Sequence, residues 1–292
     1  MNHYDNPNVS ELPPGFTGYV IENEDLDFLA DVSISADAWF ANLPDTWAYP
    51  QSVNALNWVV TENQGQIGSC AGHGFTTVGE GIWFLETGIA PVFSPWAAYR
   101  LAQEKDGIHG DSGSTIAGNV WVGKNIGLVP KEICPPYPAS YGQGWQITDK
   151  MREAANPWRI KSAVDCRGYE ATLKFLKAGH GFVYTGSIWP AGMDGQGDKI
   201  HSFYGPRRND RHGGGHSVCI LGWSSLLCPD GFPYLIIHNS WSKRWGNDGA
   251  KYMSRRAYNE MSEHKQTVLV GVSDILEPRG PRQFEFHGNI VT

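Results

Sequence analysis

The sequence has 292 residues, 41% of them apolar and 18% charged, which is enough to bury a core in one large domain or two lobes sharing a cleft and excludes a disordered chain. The net charge of −7 comes with no basic tract, which argues against a nucleic-acid partner. No stretch approaches the roughly 18 apolar residues that span a bilayer, and "MNHYDNPNVSELPPGF" lacks the basic and apolar regions of an export signal, so a soluble protein is expected.

Residues 1–42 are polar and acidic with no sustained period, and they read as an extension packed on or beside the main body. Its apolar residues Leu26, Phe28, Trp39 and Phe40 need cover, so the extension is expected to lie across or beside the cleft and lower activity. In "SCAGHGFTTVGEGIWFLETG", Ala71, Phe75, Val78, Ile82 and Leu85 recur at three- and four-residue steps. That spacing predicts a helix with one buried face, with Cys70 at its N-terminus and Ser69 as N-cap. A second helix is predicted over "SPWAAYRLAQEK", capped by Ser94 with Pro95 at the first helical position, and a third over "STIAGNVWVGKNIG", stopping at Gly127. From about residue 158 the runs "GFVYTGSIW", "HSVCILGW", "YLIIHNSW" and "TVLVGVSDI" are short, β-rich and bounded by turn residues. The 35 glycines and 18 prolines, spread along the chain, argue against an all-helical bundle. A helical half followed by a strand-rich half is an α+β order.

Five cysteines, Cys70, Cys134, Cys166, Cys219 and Cys228, lie far apart with no C-x-x-C pair, so at least one thiol is expected to be free. A lone buried cysteine is usually structural, and that reading holds for the last four. Cys70 differs because a helix N-terminus and a nearby imidazole are the features that turn a thiol into a thiolate nucleophile. The imidazole candidate is His216, which follows three glycines in "RHGGGHSVCILGW"; glycines such as Gly215 leave room for a substrate backbone. In "YLIIHNSWSKRWGNDGAKYM", Asn239 offers the side-chain carbonyl that orients an imidazole, and Trp241 a screen over that bond. Gln64, six residues before Cys70, offers an amide N–H to an oxyanion, together with the Cys70 N–H. His73, one helical turn from Cys70, reads first as a packing or surface residue. His212 and His216 lack the further ligands that zinc wants, so neither a metal nor another cofactor is expected.

These segments resemble the papain-like cysteine peptidases: "NQGQIGSCAG" for glutamine and nucleophile, "GGGHSVCILGW" for the histidine strand, and "HNSWSKRWGNDGAKYM" for asparagine and tryptophan. Asn239 lies farther downstream than the about 130–150 residues usual for the family, and the surplus "SSLLCPDGFPY" reads as an elongated hairpin. "FSPWAAYRLAQEKDG", "GDSGSTIAGNVWVGKNIGLVPKEICPPYP" and "LKAGHGFVYTG" look like bacterial-type or phage-like members, extending the likeness over roughly residues 43–272. The resemblance implies a two-lobed fold over residues 43–292, with a helical lobe over about 60–157, a β-barrel-like lobe over about 158–275, and the cleft between them. It implies peptide or protein substrates, Cys70, His216, Asn239 and Gln64 as catalytic residues, and Gly113 and Ser114 where the family pairs its backbone with an extended substrate; Gly215 and Trp241 complete the substrate-facing set. Ile67 stands where eukaryotic members have a disulfide cysteine, which fits a reducing compartment or a core that stands without the bridge, and Ala71 replaces an aromatic at the site; a cytoplasmic or virion-associated location is expected. Two other readings remain open: a peptidase of peptidoglycan cross-links, and a papain-fold structural or binding component of an assembly such as a phage particle, tethered through residues 1–42.

Overall fold

The computed structural model describes residues 59–177, 181–188, 200–201, 215–263 and 267–275; the extension at 1–42 and His212 lie outside them. The helices, in chain order, are α1 (Cys70–Thr87), α2 (Pro95–Asp106), α3 (Ile116–Asn125), α4 (Asp149–Ala155), α5 (Tyr169–Lys177) and α6 (Arg255–Ser262). The strands are β1 (Ile160–Asp165), β2 (Gly181–Ile188), β3 (Ile200–His201), β4 (Gly215–Leu227), β5 (Pro233–His238), β6 (Ala250–Met253) and β7 (Val268–Ile275).

Side-chain caps start most of the helices. Ser94 Oγ accepts from Ala97 N at 3.2 Å with Pro95 leading α2, and Thr115 Oγ1 accepts from Gly118 N at 2.7 Å to start α3. Ser69 departs from the expected cap: its hydroxyl makes no capping bond and lies instead 2.6 Å from Tyr137 Oη and 3.2 Å from His73 Nδ1. The third helix ends at Asn125, two residues short of Gly127. Gly127 has φ +104°, and a Cβ there would sit 1.9 Å from the Ala155 carbonyl oxygen, so the chain needs glycine to pass beneath α4.

The strands form one sheet in the order β1-β7-β2-β4-β5-β6-β3, antiparallel except for the β3–β6 pair. The β4–β5 hairpin is elongated, as the surplus suggested. Its strands run to Leu227 and from Pro233, and Cys228 N bonds Phe232 O at 2.6 Å across the turn. Helices α4, α5 and α6 are additions to what the sequence predicts; α5 has nine residues inside a strand-rich stretch and buries Tyr169, Thr172, Leu173, Phe175 and Leu176.

Helix α1 lies on the sheet, its Phe75, Val78 and Ile82 sharing one core with Val183, Tyr184, Val218, Ile220 and Val270. A second cluster, including Ala97, Leu101, Val122, Val129 and Met151, joins α2, α3 and α4. Between the two, α1 and α2 touch at Gly72, where a Cβ would lie 2.6 Å from Pro95 O. The α+β architecture of a helical half against an antiparallel sheet is therefore the one expected from the sequence.

Candidate active site

Cys70 is the first residue of α1, where helical N–H groups point beyond the helix end and carry its positive partial charge. The helix crosses β2 and β4: the buried Tyr184 hydroxyl on β2 donates to Ala71 O at 2.7 Å, and a Cβ on Gly74 would meet Ser217 Oγ on β4 at 3.2 Å. His216 precedes Ser217, so the packing brings the Cys70 end of α1 to the start of β4. Both residues are fully buried.

The imidazole is held from two sides. His216 Nε2–H donates to Asn239 Oδ1 at 2.9 Å, and the same oxygen accepts from Ser240 N at 2.8 Å. Two donors on one atom identify it as the amide oxygen and turn the Asn239 nitrogen away from His216. Trp241 stacks on the imidazole with ring centroids 4.5 Å apart and planes 30° apart, covering the His216–Asn239 bond.

Gln64 is carried to the same place by the chain segment before α1. Asn63 and Trp241 form an isolated bridge, Gln64 N donates to Ser240 O at 2.9 Å, and Ser240 Oγ donates to Gln64 Oε1 at 2.6 Å. One amide hydrogen of Gln64 is used on Ile67 O at 2.9 Å. The bonds to Ser240 fix which way the amide faces.

The substrate-facing candidates divide. Gly113 has φ +85°, its N–H donates to Tyr99 Oη at 3.3 Å, and its carbonyl accepts from Gln103 Nε2 at 2.9 Å. Of the Gly113–Ser114 pair, those bonds engage the glycine's main chain and not the serine's. Gly215 opens β4 opposite Ile188, and Trp241 covers the imidazole as described.

Several residues at the site lie outside the sequence reading. Asp111 Oδ1 accepts from Gly68 N at 2.8 Å and from Tyr99 Oη at 3.0 Å, tying the nucleophile loop to the 110–114 loop. Tyr137 Oη also donates to Gln64 O at 3.1 Å. Ser240 sits beside Asn239 in "HNSW", but no periodicity marks it as the partner of a glutamine 176 residues away. His73 is buried, with Nδ1 3.1 Å from Ser69 O and Nε2 3.6 Å from Glu62 Oε2, and burial pushes its pKa down. Among the described residues no group of three or more His, Cys, Asp or Glu is placed to hold a metal ion. All five cysteines are unbridged, and burial raises the thiol pKa of Cys134, Cys166, Cys219 and Cys228, in keeping with inert packing.

Comparison with known proteins places the chain in a family. Residues 44–271 match the papain family cysteine protease family. Two curated relatives match over short segments: cathepsin B-like cysteine proteinase 6 of Caenorhabditis elegans, 49% identical over 37 residues, and cathepsin B-like protease 1 of Arabidopsis thaliana, 37% identical over 59 residues. Those segments are 13% and 20% of this chain and only 9% and 14% of the relatives' own length. Both are eukaryotic, and they lend no support to the bacterial or phage-like branch suggested by the sequence.

Solved structures share the fold at low identity. The ragweed pollen allergen Amb a 11 in its proform superposes with TM-score 0.64 at 21% identity, covering 89% of this chain and 77% of the allergen. Xylellain from Xylella fastidiosa gives 0.58 at 18%, covering 80% and 95%, and bromelain from Ananas comosus, solved with the inhibitor E64, gives 0.58 at 20%, covering 78% and 100%. By the extent of the family match, the chain belongs to the papain family of cysteine proteases.

Proposed function

We propose that this chain hydrolyses peptide bonds through an acyl-enzyme formed on Cys70. The observation that carries the reading is the His216–Asn239 bond at 2.9 Å beneath Trp241, at the strand end that meets the N-terminus of the Cys70 helix. In this mechanism the His216 imidazole takes the Cys70 proton, and the thiolate attacks the substrate carbonyl carbon. The second amide hydrogen of Gln64 and the Cys70 N–H donate to the oxyanion. His216 then gives its proton to the leaving amine; a water attacks the thioester, transferring its proton to His216, and the carboxylic acid leaves as Cys70 is restored. Asn239 keeps the proton-bearing Nε2 fixed so that Nδ1 is the basic nitrogen. Main-chain pairing with an extended substrate falls to Ser114, on the loop that Gly113 shapes, and to Gly215 at the start of β4.

Helices α1–α4 within 70–155 and a sheet within 160–275 support lobes of about 60–157 and 158–275. Five unbridged thiols support work in a reducing compartment. No helix of the described residues is long and apolar enough to cross a membrane. General proteolysis is preferred over cleavage of cell-wall cross-links because the curated relatives are cathepsin B-like proteins; release of muropeptides from purified sacculi would reverse that preference.

The test is intact-mass analysis after treatment with an epoxide peptidase inhibitor under reducing conditions, with Cys70→Ala alongside. One adduct on the wild type, absent from the variant, is expected; an adduct surviving Cys70→Ala, or labelling spread over several thiols, would sink the assignment. We propose that residues 1–42 hold activity down, so a chain beginning at Leu43 is expected to label faster than the full chain, and equal rates would refute that role.

A further inference from the structure

A small cavity with room for about one water molecule is lined by Glu62, His73, Thr77, Ser217, His238 and Asn239 among others. Asn239 is 1% exposed, and its buried Nδ2 has no hydrogen-bond partner among the described residues. The amide cannot flip to relieve this, because its oxygen already accepts from two fixed donors, His216 Nε2 and Ser240 N. Across the cavity, His73 Nε2 and Glu62 Oε2 stand 3.6 Å apart, too far for a direct hydrogen bond. His73 Nδ1 faces the Ser69 carbonyl at 3.1 Å, an acceptor only, so the proton is on Nδ1 and Nε2 offers a lone pair toward the cavity. The other oxygen of Glu62 is engaged by Lys131, which holds the carboxylate in place.

Three groups thus converge on one space: a buried N–H without an acceptor, and two acceptors without a shared donor. We infer that this cavity holds an internal water that accepts from Asn239 Nδ2 and donates to Glu62 Oε2 and His73 Nε2, making Glu62 and His73 positioning residues for the triad. A single water satisfies all three groups with its ordinary complement of bonds. Through it, a Glu62 anchored to Lys131 on the helical side fixes the Asn239 amide on the sheet side, and Asn239 orients His216. Of the other polar residues lining it, His238 Nε2 bonds Thr61 Oγ1 at 3.1 Å, and Ser217 Oγ donates to Thr185 O at 2.8 Å. The inference rests on the catalytic roles proposed above for Cys70, His216 and Asn239.

The test uses the full chain. A crystal structure is expected to show a water peak within hydrogen-bond distance of Asn239 Nδ2, Glu62 Oε2 and His73 Nε2. Inactivation kinetics with an epoxide inhibitor separate positioning from binding: Glu62→Leu is expected to lower the limiting rate of Cys70 modification about tenfold at unchanged inhibitor affinity. Glu62→Gln, which keeps an oxygen facing the cavity, is expected to stay near wild type. In an Asn239→Ala background Glu62→Leu should have no further effect, since the group it positions is gone. An empty cavity, equal losses from Glu62→Leu with and without Asn239, or a loss seen only in affinity would each overturn the inference. Asn239→Ala without effect on the rate would instead overturn the triad reading, and the water peak would still judge the site on its own.

Discussion

Burial decides the protonation of single residues in this molecule. Glu80, on α1, is buried with the Phe93 N–H at 2.9 Å on its carboxylate, and loss of hydration pushes its pKa up to about 8. Between about pH 4.5 and 8 the folded protein therefore keeps a proton that the unfolded chain releases, and the contribution of Glu80 to stability falls as pH rises through that window. His238 behaves oppositely. Burial lowers its pKa to about 4, so between about pH 4 and 6.5 the unfolded chain takes up a proton that the fold refuses, and stability rises with pH there. The buried His73 shifts in the same direction. Above about pH 6.5 the slope from Glu80 remains without that opposition, so the wild-type Tm is expected to fall from pH 6.5 to 8. Glu80→Gln, whose amide oxygen still accepts from Phe93, should flatten the fall; an unchanged slope in a pH series of thermal melts would refute this account. The candidate site was legible at this scale where residue type and local spacing carry chemistry, as for Cys70, His216, Asn239 and Gln64. Glu62, Asp111, Tyr137 and Ser240 act by contacts made only after folding, and Glu80 looks like any helical glutamate until its surroundings are known.

Among the elements, α2 shows what local sequence can do. Ser94 and Pro95 set its start in the sequence, and the observed cap bond at 3.2 Å is local, so Ser94→Ala is expected to cost about 1 kcal/mol in urea denaturation without altering the fold. The start of α1 shows where local reasoning stops. Ser69 has the residue type of a cap, but Tyr137, 68 residues on, takes its hydroxyl. Helix α5 was hidden for a different reason, since nine residues give too few periods to stand out among strands. Gly72 carries a packing requirement that its own helix does not reveal. A Cβ there would press on Pro95 O at 2.6 Å and Tyr99 N at 2.9 Å, both main-chain atoms, so Gly72→Ala is expected to destabilise by about 1–3 kcal/mol despite its better helix propensity. A neutral or stabilising result would show that α1 and α2 separate easily.

Over the whole molecule, α1 is the shared member: its apolar face belongs to the sheet core, and its Gly72 face touches α2. Separating the halves would expose Phe75, Val78 and Ile82 on one side and Val183, Val218 and Ile220 on the other, which opposes independent unfolding. Far-UV circular dichroism and tryptophan fluorescence are therefore expected to report one coincident transition, and two separated midpoints would show lobes that unfold independently. No disulfide takes part, so adding reductant should leave that transition where it is.

The sequence by itself determined the α+β order, the strands around His216 and Asn239, and the family, because hydrophobic period, turn residues and short chemical motifs are properties of neighbouring residues. Only the tertiary structure decided which side chains hold Gln64, why the Asn239 amide faces as it does, and what lies beside it. Those answers depend on groups brought together from segments over a hundred residues apart, as when Gln64 meets Ser240, and no local pattern encodes a contact of that separation.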